Sequence, residues 1–255
     1  MLGGIAMTIS TRCAVSMVTL GCLVAATGSA SAQFVLREDV HVPPGVTAEF
    51  ESASKARTAR MAEGGVSFSR LAAANESRSH YRFQTILDDS FASVGTWRQE
   101  IADMPAGTNS RGVTDLIESI DRSVWQARPD LSYIPDTLRV AAGEIGVVRE
   151  VVLYPKFGLT QQVAELLREI RALYRQHGIA GRRVVRELVL GAKGPAFTIV
   201  FLARDGQDLY ADLEETGTAL GSELQGLIGR INRLCRDVEI VNYTNRSDLG
   251  YQPGN

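Results

Sequence analysis

Two short stretches hold most of the residues in this chain that could do chemistry. "LREDVHVPPG" (36–45) puts Arg37, Asp39 and His41 at alternate positions, and "SHYRFQTIL" (79–87) does the same for His80, Arg82 and Gln84. Side chains in a strand alternate between faces, so each set shares one face. Arg37, Asp39, His41, His80 and Arg82 would then form one polar wall suited to an acidic ligand. The competing reading is an ion-paired edge whose charged tips reach water, and such structural pairing is the commoner role of these residue types. A second constellation is the pair Glu38 and Glu150, at matched positions of two similar strands. They could face each other across a twofold as carboxylates for proton transfer, although duplication alone would leave the same spacing.

Other chemistries find little support. The chain has three histidines. His41 ends the first strand and His80 begins the third. If those strands are parallel neighbours, the two rings lie ~15–20 Å apart at ~3.3 Å per residue and cannot share a metal. His177 ends a helix, where a cation suits the negative end of the dipole. No His-x-x-x-His or Cys-x-x-Cys spacing occurs, so no metal site is expected. Haem needs an axial ligand, and only His177 is helical. Phosphate loops and nucleophile elbows are absent. No cofactor is expected.

The composition bounds the rest. The 255 residues are 45% hydrophobic and 22% charged, with a net charge of −2. That balance, with a pI near 6.0, argues against a dedicated nucleic-acid surface. Residues 1–32 stand apart. Arg12 precedes an apolar run over 13–26, and Ala30-Ser31-Ala32 before Gln33 has the form of a cleavage site. The expectation is a secretory signal peptide over 1–32 and a periplasmic or extracellular mature protein. Met7 would serve as the start as well as Met1. Lipid attachment at Cys22 is the lesser alternative, since Leu20 sits one position too late for that motif. No later segment is apolar enough to span a bilayer. Cleavage leaves Cys235 as the only cysteine, which excludes an internal disulfide and suits a small buried residue.

The elements that must position these residues come from an internal repeat. "LREDVHVPPG" returns as "VREVVLYPKFG" 112 residues later. "YRFQTILDD" matches "FTIVFLARD" at 116, "LIESIDR" matches "LIGRINR" at 111, and "RPDLSYI" matches "RDVEIVN" in the same order. The second copy reads as strand (147–154), amphipathic helix carrying Val163, Leu166, Leu167, Ile170, Leu173 and Tyr174, a two-strand hairpin, a long helical stretch that its glycines divide in two, and a last strand. That order is β-α-β-β-α-β, the split unit of ferredoxin-like folds. The first copy reads the same way, with strands near 34–42, 66–72, 79–87 and 131–134 and a helix near 46–62. Each sheet needs its second apolar face covered. The expected fold is therefore α+β: two tandem ferredoxin-like units, 33–140 and 141–255, packed sheet to sheet as an intramolecular α/β barrel with pseudo-twofold symmetry, monomeric.

"REDVHVPPG", "DDSFASVGTWRQE", "RPDLSYIPD" and "VREVVLYPKFG" resemble the dimeric α/β-barrel superfamily, and within it uncharacterised exported bacterial proteins that carry the unit in tandem. The resemblance covers most of 33–253. It implies the barrel but does not choose a chemistry, because the superfamily includes antibiotic-biosynthesis-type monooxygenases, haem-degrading enzymes and chlorite dismutases. The leading expectation is an exported protein that binds a small molecule inside the barrel. A monooxygenase-like or haem-using enzyme and a structural or interaction module are the alternatives.

Overall fold

A computed structural model describes residues 33–88, 90–104, 112–191 and 193–254. The proposed signal segment, Cys13, Cys22 and most of the "MPAGTNSRG" loop lie outside the described residues. The first half contains β1 (Phe34–His41), α1 (Thr47–Glu63), β2 (Arg70–Ala74), β3 (His80–Ile86), α2 (Ser93–Asp103) and β4 (Ser119–Ala127). The second contains β5 (Val147–Pro155), α3 (Thr160–Gln176), β6 (Arg183–Leu190), β7 (Phe197–Ala203), α4 (Gly206–Leu234) and β8 (Cys235–Asn245). The eight strands close a barrel in the order β1-β3-β2-β8-β5-β7-β6-β4. Each half therefore shows the same internal order: fourth, first, third, second strand. The α+β barrel of two ferredoxin-like units is the fold observed.

The helices cover the outside. Val163, Leu166, Leu167 and Ala164 of α3 pack against Leu153, Val185 and Phe197 of the sheet and Ile231 of α4, and each such large side chain contributes about 1.5–3 kcal/mol by leaving water. α4 begins where the Asp205 carboxylate accepts the Asp208 N–H at 2.8 Å, a helix cap of the usual kind. It changes direction at Gly221, whose φ of 50° and ψ of −133° suit glycine alone. This is the division expected from its glycines. α1 has few apolar residues, and Phe50 and Met61 are its buried anchors. Cys235 is buried in the core, and burial raises its thiol pKa, which leaves it unreactive.

Two of the four sequence matches join unlike structures. "LIESIDR" runs from a turn into β4, whereas "LIGRINR" is inside α4. "RDVEIVN" is in β8, but its counterpart "RPDLSYI" follows β4. There Tyr133 bonds Arg183 through both backbone groups at 2.8 Å, and Leu131 joins the core. The fourth strand is thus Ser119–Ala127 rather than 131–134. The apolar "LSYI" carries the stronger strand signal, but it spends its apolar groups anchoring a turn.

Candidate functional site

The inner and outer faces of the barrel settle where each candidate residue points. On β1, Leu36 packs with Trp97 of α2 and Val40 with Phe50 of α1, so the even positions face the helices. Arg37, Asp39 and His41 face inward. On β3, Tyr81 and Phe83 join the helix layer, which leaves His80, Arg82 and Gln84 inside. The five residues of the expected polar wall do converge. However, β1 and β3 are antiparallel, with His41 paired directly to His80. The two rings stack at 4.5 Å. The expected separation of ~15–20 Å came from the wrong relative direction of these strands. The antiparallel register places the end of β1 beside the start of β3.

The wall is a dense network. Arg37 donates to Asp39 at 2.6 Å and to Glu150 at 3.3 Å. Arg82 donates to Asp39 at 2.6 Å and to Glu150 at 2.5 Å. His80 Nε2 lies 3.1 Å from Asp39. Gln84 donates to Glu150 at 3.0 Å and accepts from Arg186 of β6 at 2.9 Å, and the Thr198 hydroxyl reaches Glu150 at 3.3 Å. Burial alone would push the Glu150 carboxyl up, but Arg82, Arg37 and Arg186 outweigh it and hold the group ionised, below its ordinary value. Asp39 is likewise lowered against its burial, by the His80 hydrogen bond, Arg82 and Arg37. A carboxylate saturated in this way is a poor proton acceptor. Glu150 holds the wall together and is not placed to act as a base.

Glu38 and Glu150 do not face each other. Glu38 points outward beneath α1, where it accepts from Arg70 at 3.3 Å and Arg122 at 3.0 Å. The 112-residue offset matched the shared Arg-Glu dipeptides but slipped by one residue, and one residue reverses every side chain's face. Register gives the true equivalence. Arg37 pairs with Gln84 as Glu150 pairs with Val200, while the 116-residue match of β3 with β7 keeps its faces. Arg37 and Glu150 are therefore pseudo-twofold mates. The pair that meets inside the barrel is a cation and a carboxylate.

Beside the wall lies a cavity of about 420 Å³. The other end of the interior is filled by Trp125, Val152, Tyr154 and Ala196. Leu71, Ala73, Val148, Val200 and Leu202 supply the apolar lining of the cavity, and Arg82, Gln84, Glu150, Arg186, Tyr243 and Asn245 its polar side. It extends across the junction of β2 and β8 to Ala59 and Ala62 of α1 and to the C-terminal segment at Gly250 and Tyr251. That junction has only two residue pairs, Ala73↔Asn245 and Ala74↔Thr244. The C-terminal segment pads it, since Tyr251 exchanges backbone hydrogen bonds with Arg70 at 2.7 and 2.8 Å. Gly250 allows this contact, because a Cβ there would stand 2.9 Å from the Arg70 carbonyl oxygen.

Of the expected residues, only Arg82 and Glu150 line the cavity. Arg37, Asp39, His41 and His80 stand behind them. Arg186 was not singled out from the sequence. The signal was available, because "RRVVRELVL" places Arg186 in mid-strand between Val184 and Leu188, the apolar residues that share its face. Tyr243 is also more than a packing residue: it lines the cavity, and the Arg82 guanidinium lies over its ring at 4.4 Å.

Haem does not fit this cavity. None of the three histidines lines it, His80 is engaged by Asp39, and His177 lies at the end of α3. Burial drives the Tyr243 phenol well above its ordinary pKa, which disfavours a phenolate ligand. Among the described residues no group of three or more His, Cys, Asp or Glu side chains could hold a metal ion. No described helix is long and apolar enough to cross a membrane.

No family model and no curated protein matches the chain. Solved structures do. An anthrone oxidase-like protein superposes with a TM-score of 0.62 at 11% identity, over 88% of this chain and 94% of its own. A candidate monooxygenase from Lactobacillus acidophilus gives 0.52 at 4% identity, over 88% and 97%. A chlorite dismutase mutant from Candidatus Nitrospira defluvii, in complex with cyanide, gives 0.53 at 8%, over 85% and 93%. At these identities the likeness shows the α/β-barrel fold and leaves the chemistry open.

Proposed function

We propose that this chain is an exported, monomeric barrel protein that binds a small molecule in the cavity beside the Arg82–Glu150 wall. The carrying observation is the cavity itself. One end of the interior is packed solid, while the other keeps about 420 Å³, within the ~300–1,000 Å³ of small-molecule sites. Apolar walls with a few convergent polar groups are the usual make-up of such a site. The form of residues 1–32 supports export.

Native mass spectrometry of protein isolated from its own compartment tests the reading. The expected result is a retained small molecule that the cavity-filling variant Ala73→Phe no longer carries. A bare protein mass, together with equal binding of added apolar probes by the wild type and Ala73→Phe, would overturn it.

A second reading is an oxygen-using enzyme without haem. The monooxygenase and oxidase-like descriptions of structural neighbours support it. It requires that the retained molecule be converted, with oxygen uptake, by the wild type; release of the molecule unchanged in air would oppose it.

A further inference from the structure

The inner wall does not balance its charges. Arg37, Arg82 and Arg186 face inward and are buried or nearly so, against the two acids Asp39 and Glu150. Further acids share this face but stand at the rim, and Asp237, opposite Tyr154, is exposed there. Asp121 is exposed, and Glu239 is engaged by Lys193 and Tyr154 behind the packed aromatic end. One buried positive charge is therefore left over, and geometry assigns it to Arg186.

Both other arginines make ion pairs with Glu150 and Asp39. Arg186 is more than nine-tenths buried, yet its only described hydrogen bond runs from Nη1 to the neutral Gln84. Its remaining nitrogens are not among those sealed from solvent without a partner, and the residue lines the cavity. Arg70 also lines the cavity but differs: it is ion-paired with Glu38, and its Nε and Nη1 are sealed from solvent. Gln84 turns its amide to Glu150 and its carbonyl to Arg186, so Arg186 feels the glutamate through space while the direct ion pairs go to Arg37 and Arg82.

The pseudo-twofold explains the free space. Arg186 stands opposite Thr198 as Ala73 stands opposite Arg82, so Arg186 and Ala73 are mates. A methyl group at Ala73 stands where its mate carries a guanidinium, and the volume left there belongs to the cavity that Arg186 also lines.

We propose that the cavity recognises a monoanionic organic acid, with its charged group on Arg186 and its apolar body against Leu71, Ala73, Val148, Val200 and Leu202. The inference rests on the ligand-binding reading above and specifies its ligand class. A guanidinium edge offers parallel N–H donors that match a carboxylate or sulfonate. An unpaired buried cation is costly, so an anion gains there what a neutral molecule of the same shape does not.

Two fluorescent probes with one body separate charge from shape: 8-anilinonaphthalene-1-sulfonate, an anion, and N-phenyl-1-naphthylamine, neutral. The wild type is expected to bind the anion at least tenfold more tightly. Arg186→Met, of similar reach, should lose that preference and keep its affinity for the neutral probe. Arg186→Lys should retain part of it. Ala73→Phe should weaken both probes, which locates them in the cavity, and thermal melts confirm that each variant folds. Equal wild-type affinity for the two probes, or an unchanged preference in Arg186→Met, overturns the anion proposal while leaving ligand binding intact. Failure of both probes to bind, or binding unaffected by Ala73→Phe, overturns the cavity reading with it.

Discussion

Glu38 and Glu150 are equally buried glutamates in neighbouring parts of one barrel, each held by arginines, and they serve opposite purposes. Glu150 sits on the inner face with four donors: Arg37, Arg82, Gln84 and Thr198. Glu38 sits on the outer face under α1 with two, Arg70 and Arg122, while Arg57 adds a nearby positive charge. The inner site is fully hydrogen-bonded and borders space. The outer site leaves two nitrogens of Arg70 without partners, although Arg70 also lines the cavity. The Arg70 guanidinium lies 3.7 Å above the Phe83 ring, and burial, with Arg57 adding to it, lowers its pKa to about 9. The difference shows that burial of a charge is not itself a sign of function. The completeness of its partners separates a built wall from a tolerated ion pair.

Three measurements sharpen or break that contrast. The largest effect is expected from Glu150→Gln, which leaves Arg37 and Arg82 with only Asp39 of the two anions they share. Denaturant unfolding should show a loss of about 3–5 kcal/mol, the cost of breaking a buried pair. A loss below about 1 kcal/mol would place Glu150 with the tolerated pairs.

Acid comes next. Glu38 and Glu150 are both held below their ordinary value of 4.5, and Glu51, bonded to Arg246 and Tyr81, falls to about 2. Groups with depressed folded-state pKa values contribute their full stability above the unfolded value and lose it as pH falls through the folded one. Melting temperature should therefore hold above about pH 5 and fall steadily from there towards pH 2. A flat acid limb would show that these carboxylates are not paired as described.

The smallest effect is expected from the double replacement Glu38→Leu with Arg70→Met. Exchanging an incompletely bonded ion pair for apolar groups of similar size is often neutral or stabilising by about 1–4 kcal/mol. The expected outcome is a stability no lower than wild type. A loss as large as that of Glu150→Gln would make the two sites equivalent and end the comparison.

Much of this was legible in the sequence. Polar alternation in β1 and β3 gave the wall, and the 3.6-residue period of Val163 to Tyr174 gave α3. The barrel followed from apolar sheets that need cover on both faces. β4 was hidden because its first residues, Ser119 to Arg122, lie towards solvent, where no apolar alternation is enforced. The face of Glu150 was misassigned because a repeated Arg-Glu dipeptide outweighed register, which only the paired strands fix. The place proposed for Arg186 rests on what it lacks, a direct carboxylate partner, and that is visible only in three dimensions.

The two-rung junction of β2 and β8 has a kinetic meaning. Its pseudo-twofold counterpart, between β4 and β6, has four pairs, and the β5–β8 ladder has nine. Local opening is cheapest where the fewest hydrogen bonds break, and the cavity runs through that place. Parting of this junction would widen the way out for a molecule inside. Its residence time would then depend on the barrel's weakest closure and the C-terminal residues that pad it, as well as on how tightly Arg186 holds its charge.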